Sequence, residues 1–345
     1  MASKATIMSS EPITNDNSQL TPATSFDGPA LRFDFPSLQI GVAEYPEGPT
    51  GCTVLYFPGG ARTAVDIRGG SHATYFTESL HAGEIPVHAI CLAGGSLLGL
   101  EAAAGVAAEL FAMKDYSAAW KSIPLVTGAI IYDFLPRANS IYPDKALGRA
   151  ALRGARPGVF PLHGRGAGCS ATVGKWLPAP YQREMGGQGA AFRRIGETRI
   201  AVFTVANSVG AIVNREGKVV RGHFNPETRR RDRIAESPFG PGAAESGAGA
   251  DRAPVIDPAR PNTTLTAVVT NQKLDSPALR QLAREAHSSL ARAIEPFHTI
   301  SDGDILWAAT TDEIENPEVN YYRLSFAASE TAWDAVLNSF APEEE

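Results

Sequence analysis

From Leu31 onward the chain alternates short runs of β-branched, aromatic and aliphatic residues with alanine-rich runs, the pattern of a layered α/β fold. Thr53-Val54-Leu55-Tyr56-Phe57 reads as a buried strand and is expected to stop at Pro58-Gly59-Gly60. Residues 87–92 form a second strand that runs into Gly94-Gly95-Ser96. The helix expected after it has small residues at Ala102, Ala103, Gly105, Ala107 and Ala108, which let it lie close to a sheet or another helix. Residues 123–134, 198–205 and 211–213 supply further β-type runs. Residues 144–156 and 166–175 read as helical or irregular.

The pattern breaks after Gly222. Residues 223–261 hold six prolines and almost no apolar periodicity, so they are expected to form a long flexible loop, which in a compact domain needs a functional reason. The loop ends at Pro261-Asn262, and a clean strand opens at Thr263. In residues 263–270, Thr264, Thr266, Val268 and Thr270 face one way and Leu265, Ala267 and Val269 the other. A helix follows, with Ser276 expected as its cap and Pro277 in its first turn, and Leu279, Leu282, Ala283, Ala286, Leu290 and Ile294 as its apolar stripe. The turn Thr299-Ile300-Ser301-Asp302-Gly303-Asp304 feeds a strand over 305–309. A last helix is expected over about 324–340.

Composition narrows the class. With 31 Lys+Arg against 37 Asp+Glu the net charge is −6, too weak and of the wrong sign for nucleic acid as the main partner. Arg229-Arg230-Arg231 and Arg233 are expected on a solvated loop. Cys52, Cys91 and Cys169 are too scattered for a disulfide framework or a zinc site and read as buried thiols. Residues 1–28 are polar, lack the basic and apolar regions of a signal peptide and are expected to be a disordered lead-in. The apolar run over 97–113 carries Glu101 and Glu109, against a membrane span. A cytoplasmic protein without cofactor or metal is the expectation.

Three glycine motifs fail on spacing. Gly94-Gly95-Ser96-Leu97-Leu98 has leucine where a nucleophile elbow needs glycine. Gly164, Gly166 and Gly168 begin a dinucleotide loop that would need its last glycine at Cys169. Gly174-Lys175 is followed by Trp176, not by the Ser or Thr of a phosphate loop. The seven histidines show no paired ligand spacing, and no His/Asp pair stands out.

Two constellations remain. Asn262-Thr263-Thr264 is a glycosylation pattern or a plain strand start; at the junction of a cleavable loop and a buried strand it has a third reading. An N-to-O acyl shift there would free Thr263, whose new α-amine could serve as base for its own hydroxyl. Asp302-Gly303-Asp304 is a plain turn, lacks the calcium-loop pattern, and alternatively sets two carboxylates at the mouth of a strand beside Thr263.

A family resemblance rests on longer runs. Arg32-Phe33-Asp34-Phe35-Pro36, Gly59-Gly60-Ala61-Arg62-Thr63-Ala64-Val65-Asp66, Ile90-Cys91-Leu92-Ala93-Gly94-Gly95-Ser96 and Ile131-Tyr132-Asp133-Phe134 resemble the nylon oligomer hydrolases. So do Tyr142-Pro143-Asp144-Lys145-Ala146-Leu147-Gly148-Arg149, Gly187-Gln188-Gly189-Ala190-Ala191-Phe192-Arg193-Arg194 and Asn262-Thr263-Thr264. These are 6-aminohexanoate-oligomer endohydrolases within the self-processing β-aminopeptidase and D-aminopeptidase/esterase group. The resemblance spans about 30–222 and 261–340.

It implies an αββα sandwich similar to the N-terminal nucleophile hydrolases, cut between Asn262 and Thr263 into a large chain (29–262, with 223–261 as processing loop) and a small chain (263–345) that stay together. It further implies Thr263 as nucleophile, Asp302 and Asp304 as the acidic pair that positions it, and Asn207 as an oxyanion donor. Tyr132 and Lys175 would line the same site. Much of the wider group carries Ser and Glu where this chain has Asp302 and Asp304, which favours the nylon-hydrolase branch. Pro261 before the scissile pair and the loop's composition depart from the family pattern. The resemblance also implies an assembly of processed protomers, often a tetramer. Two alternatives stay open: an exo-acting β-peptide aminopeptidase or D-amino-acid amidase/esterase with the same nucleophile, and an uncleaved binding protein of the same fold.

Overall fold

The computed structural model describes residues 16–237 and 262–342. One continuous ten-stranded sheet, folded over on itself, organises the chain. Its main strands are β1 (Gln39–Tyr45), β2 (Thr50–Ile67), β3 (Pro86–Ala93), β4 (Val126–Ile130), β5 (Gly187–Ile195), β6 (Thr198–Asn207), β7 (Thr263–Gln272) and β8 (Ile305–Ile314). Their order is β5-β6-β7-β8-β2-β3-β4. The pair β1–β2 is off this path, and two-residue strands at Thr74–Tyr75 and Arg156–Pro157 complete the sheet.

The strand expected to end at Pro58 instead runs for 18 residues, from Thr50 to Ile67. Its register against β3 shifts between Tyr56 and Ala61. Pro58 and Gly59 are exposed there, so the missing proline N–H costs no buried hydrogen bond, and an irregularity of this kind bends a strand. The first half of β2 therefore pairs with β1 and β3, the second half with β8.

Three clusters of buried side chains fill the spaces between layers. Phe35, Leu55, Phe57, Phe203, Leu265 and Trp307 belong to the cluster enclosed between the two halves of the sheet. A second cluster joins Val202, Val268 and Leu306 to α3 (Ser276–Ser289) and α4 (Tyr321–Leu337). A third joins Val54 and Cys91 to α1 (Leu100–Met113) and α2 (Lys145–Arg153). The layers thus run helix, sheet, sheet, helix, as expected. Both faces of β7 are buried, Leu265, Ala267 and Val269 in the inner core and Val268 toward the helices.

The small residues of α1 act as expected. A Cβ at Gly105 would lie 2.3 Å from the carbonyl oxygen of Lys145, so α1 and α2 touch backbone to backbone. Ser96–Met113 is, among the described residues, the stretch long and apolar enough by composition to cross a membrane. Here it packs on α2 and the sheet, with Glu109 gripped by Arg149 and Arg153. All three cysteines are buried and free.

Four expectations need correction. Residues from Asp16 on are packed rather than loose: Leu20 and Phe26 lean on the core, and Ala23 pairs with Glu44. Residues 223–237 are ordered too, through the small hairpin Phe224–Asn225 with Arg230–Arg231; only 238–261 of the expected loop lie outside the described residues. In that hairpin Arg231 is no solvated charge, because Glu184 holds it at 2.6 Å, and Arg233 pairs with Glu295. Finally, α3 is capped by Asp275, whose carboxylate accepts from the Ala278 N–H at 2.8 Å, leaving Ser276 as its first residue.

Candidate active site

Strand register brings the site together. Thr263 opens β7, and in the antiparallel β6–β7 ladder it lies directly opposite Asn207, the last residue of β6. On the other side β8 runs parallel to β7, so the turn before β8 sets Asp302 and Asp304 beside the start of β7. Asn262 bridges to Asp302, and its N–H donates to the Ser301 carbonyl at 2.9 Å. Thr263, Asn262, Asn207, Asp302 and Asp304 are all 3% exposed or less, so their chemistry takes place out of bulk water.

The bond between Asn262 and Thr263 is the focus. Thr263 Oγ1 lies 2.5 Å from the carbonyl oxygen of Asn262. That same oxygen accepts the main-chain N–H of Gly303 at 2.6 Å. The carbonyl oxygen thus accepts from two donors, the Gly303 N–H and the Thr263 hydroxyl. A Cβ on Gly303 would meet Thr263 Oγ1 at 2.8 Å, and this close approach is what the position requires of glycine.

Each carboxylate has its own donors. Asp304 Oδ1 accepts from the Thr264 N–H at 2.7 Å, and its Oδ2 from the His298 N–H at 3.1 Å and ring Nδ1 at 2.9 Å. Asp302 accepts from the N–H of Val209 at 3.2 Å and from both the N–H and hydroxyl of Thr299, at 3.0 and 2.6 Å. Burial pushes Asp302 up to about 6, aided by the neighbouring Asp304 and opposed by those donors. Burial also pushes Asp304 up to about 6, against the pull of His287 and of the Thr264 and His298 N–H groups. The pair is ionised at neutral pH and takes up protons just below it.

Lys175 reaches in from the other side, its ammonium donating to the main-chain oxygen of Asn207 at 3.0 Å and to Oδ1 at 3.3 Å. Burial lowers it to about 7, with the charge of Asp302 pulling the other way. Asn207 also takes the Thr172 N–H on Oδ1 at 2.9 Å and donates from Nδ2 to the carbonyl of Tyr132 at 3.1 Å. Tyr132 therefore touches the site through its main chain, while its ring packs edge-on against Phe134. The next residue, Asp133, ties that loop down by accepting from Thr50, Gly95 and Arg137. The structure thus brings all the expected site residues together.

Four participants were not expected. The Gly303 N–H belonged to a motif read only for its carboxylates. His298, His287 and Asp66 form linked pairs behind Asp304: His298 bonds Asp304, and His287 Nδ1 lies 2.9 Å from Asp66 Oδ2. His287 and Asp66 stand 221 residues apart, so no spacing rule finds them. Among the described residues no group of three or more His, Cys, Asp or Glu side chains is arranged to hold a metal ion.

A cleft of about 640 Å³ opens onto this site. Asn262, Lys175, Thr172 and Val209 lie on its wall toward Thr263. Its lining is mixed: Leu135, Trp176, Leu177 and Met185 supply apolar surface, while Gln182, Arg183 and Glu184 supply polar and charged groups.

Residues 33–344 match Peptidase family S58. The chain is 46% identical over 337 residues to the 6-aminohexanoate-oligomer endohydrolases of Agromyces sp. (strain KY5R) and Paenarthrobacter ureafaciens, covering 94% of this chain and 90% of each relative. Its fold is similar to that of the L-aminopeptidase D-Ala-esterase/amidase of Ochrobactrum anthropi, described as a variant of the Ntn hydrolase fold. The TM-score is 0.59 at 14% identity, over 92% of this chain and 88% of that one. The chain belongs to peptidase family S58 and is an amide-bond hydrolase.

Proposed function

We propose that the protein cuts itself between Asn262 and Thr263 and then uses the freed Thr263 to hydrolyse internal amide bonds in oligomers of ω-amino acids such as 6-aminohexanoate. One observation carries the reading: the Thr263 hydroxyl and the Gly303 N–H both sit on the carbonyl oxygen of Asn262, at 2.5 and 2.6 Å.

In maturation, Thr263 Oγ1 adds to the Asn262 carbonyl carbon, and Gly303 donates to the oxygen as it gains charge. The hydroxyl proton passes to the Thr263 nitrogen, the C–N bond breaks, and an ester joins Asn262 to Oγ1. Water then cleaves the ester, leaving the Asn262 carboxylate and a free α-amine on Thr263. In turnover that amine takes the proton from its own hydroxyl while Oγ1 attacks the substrate carbonyl. Asp304 fixes the start of β7 through the Thr264 N–H, and Lys175 and Asn207 supply the polar wall. The proton goes to the departing amine, and water releases the acyl half.

The cut leaves the sheet intact, because β7 stays paired with β6 of the large chain and with β8. The mixed lining of the cleft offers apolar side chains to a methylene chain and polar ones to its amides, and the 46% identity to the endohydrolases favours internal cleavage over the removal of single N-terminal residues.

The test is direct. Cleavage after residue 262 leaves 83 of the 345 residues in the small chain, so a 36.5 kDa precursor gives pieces of about 28 and about 9 kDa. The small piece should begin Thr-Thr-Leu-Thr, and the purified protein should shorten 6-aminohexanoate oligomers. A full-length band in fully active protein overturns the proposal.

A further inference from the structure

We propose that His298 is a positioning residue for this reaction: its main-chain N–H and ring Nδ1 together clamp Oδ2 of Asp304, leaving Oδ1 to hold the N–H of Thr264 next to the nucleophile. The inference rests on the function proposed above and concerns how the acidic half of the site is kept in its working form.

The backbone is the first sign. His298 sits at φ +59°, in the left-handed region that a histidine rarely adopts. What that conformation delivers is a double contact, with N–H and Nδ1 both on the same carboxylate oxygen at 3.1 and 2.9 Å. The ring cannot swing away. It stacks on Phe297 at 3.8 Å between centroids and meets His287 nearly at right angles, at 4.4 Å. His287 is in turn held by Asp66, and Asp66 by Arg68 at 2.7 Å.

The charged and titratable groups around the ring come from three elements. Asp302 and Asp304 lie on its own turn, Asp66 on β2 with Arg68 just past its end, and His287 on α3. Among the described residues, the buried Nε2 atoms of His298 and His287 have no hydrogen-bond partner. A carboxylate oxygen can only accept, so Nδ1 carries the hydrogen toward Asp304 Oδ2, and burial of the other ring nitrogen disfavours a second proton there. Burial and the nearby Arg68 also push His298 down to about 4, in the same direction. Asp304 thus receives a neutral donor, which stabilises its ionised form without adding a charge.

Removing that donor weakens the carboxylate's hold on its charge and moves its titration upward, by about 1–2 pH units for one charge-assisted hydrogen bond. His298→Leu keeps the bulk and loses the donor. His298→Asn places an amide N–H where Nδ1 was and tolerates the left-handed backbone. The measurement is kcat against pH on 6-aminohexanoate oligomers, using the full, processed chain. We expect the acidic limb of His298→Leu to move up by about 1–2 pH units, and that of His298→Asn to return to the wild-type position. An unmoved limb in His298→Leu, or an equal shift in His298→Asn, overturns the proposal.

A second measurement needs no variant. Nitrogen-15 NMR of histidine-labelled protein, with His298 assigned, should show a neutral Nδ1–H ring between pH 6 and 8. An Nε2–H or doubly protonated ring overturns the proposal even if the leucine variant fails to fold. If wild-type protein leaves oligomers intact, the functional reading fails, and the tautomer still decides the role of His298.

Discussion

Gly303→Ala isolates the contact on which the proposed self-cleavage depends. Gly303 is outside the left-handed region, so alanine adds bulk without backbone strain. The new Cβ would stand 2.7 Å from the Ser71 carbonyl oxygen, 2.8 Å from Thr263 Oγ1 and 3.1 Å from His72 Cα. Two of these three are main-chain atoms, and the Ser71 N–H is bonded to the Asp302 carbonyl at 3.0 Å, so that side of the contact resists moving. Relief comes by pushing the turn and the Thr263 hydroxyl apart, by about 0.5 Å. A misplacement of about 1 Å costs roughly 100-fold in rate, so half of that predicts about tenfold slower cleavage. The Gly303 N–H retreats from the Asn262 oxygen in the same movement, which makes tenfold a lower bound. Overpacking of this size costs about 1–3 kcal/mol in stability, which leaves a folded protein. The assay is the appearance of the small chain on denaturing gels after a pulse of synthesis, with thermal melting as the control. A folded Gly303→Ala protein that matures at the wild-type rate would falsify the assigned role of this N–H.

Other substitutions separate the steps. Thr263→Ala should leave a folded, uncleaved, inactive precursor, and Thr263→Ser should keep part of both reactions; mass spectrometry and oligomer hydrolysis decide, and a cleaved alanine variant contradicts the mechanism. A small chain supplied with one irremovable extra N-terminal residue should assemble with residues 1–262 yet not hydrolyse; normal turnover would make Lys175 the first candidate base. Asn207→Ala orphans the buried Thr172 N–H and strips a partner from Lys175, so turnover should fall roughly 10²- to 10³-fold, and unchanged kcat removes the residue from the site. Because Asp302 and Asp304 are both pushed up to about 6, their charged forms predominate only above that value. Activity should therefore fall as pH drops through about 6, and a rate flat down to pH 4 excludes them as working carboxylates.

Local chemistry made much of this site legible. The start of β7 showed because a proline-rich segment gives way to strict alternation at Thr263, and the acidic turn showed because Asp-Gly-Asp precedes an apolar run. The bend in β2 did not show, since Pro58-Gly59-Gly60 has the composition of a strand end. Only the exposure of those residues and the shifted register distinguish a bend from a stop. The packing of residues 16–28 was hidden for a related reason: Leu20 and Phe26 are isolated apolar residues in a polar stretch, and the surface that receives them is built by distant segments. His298 and His287 stayed invisible because their partners are supplied by the meeting of β2, α3 and the turn before β8. Tyr132 was legible as a member of a motif, but its contribution through a carbonyl oxygen belongs to backbone geometry that no side-chain rule encodes.

The ladder between β6 and β7 also settles a choice that chemistry leaves open. Thr263 and Thr264 carry the same hydroxyl and the same methyl group, one residue apart, and either could attack the carbonyl before it. The pleat sends neighbouring side chains to opposite faces, and the register sets Asn207 against Thr263 and Ala206 against Thr264. The selection between two chemically identical candidates is therefore a matter of parity. Sliding the strand by a single step would exchange their places without altering a single functional group. In the proposed maturation, what names the bond to be cut is the counting of the sheet, read out once, when the strand docks.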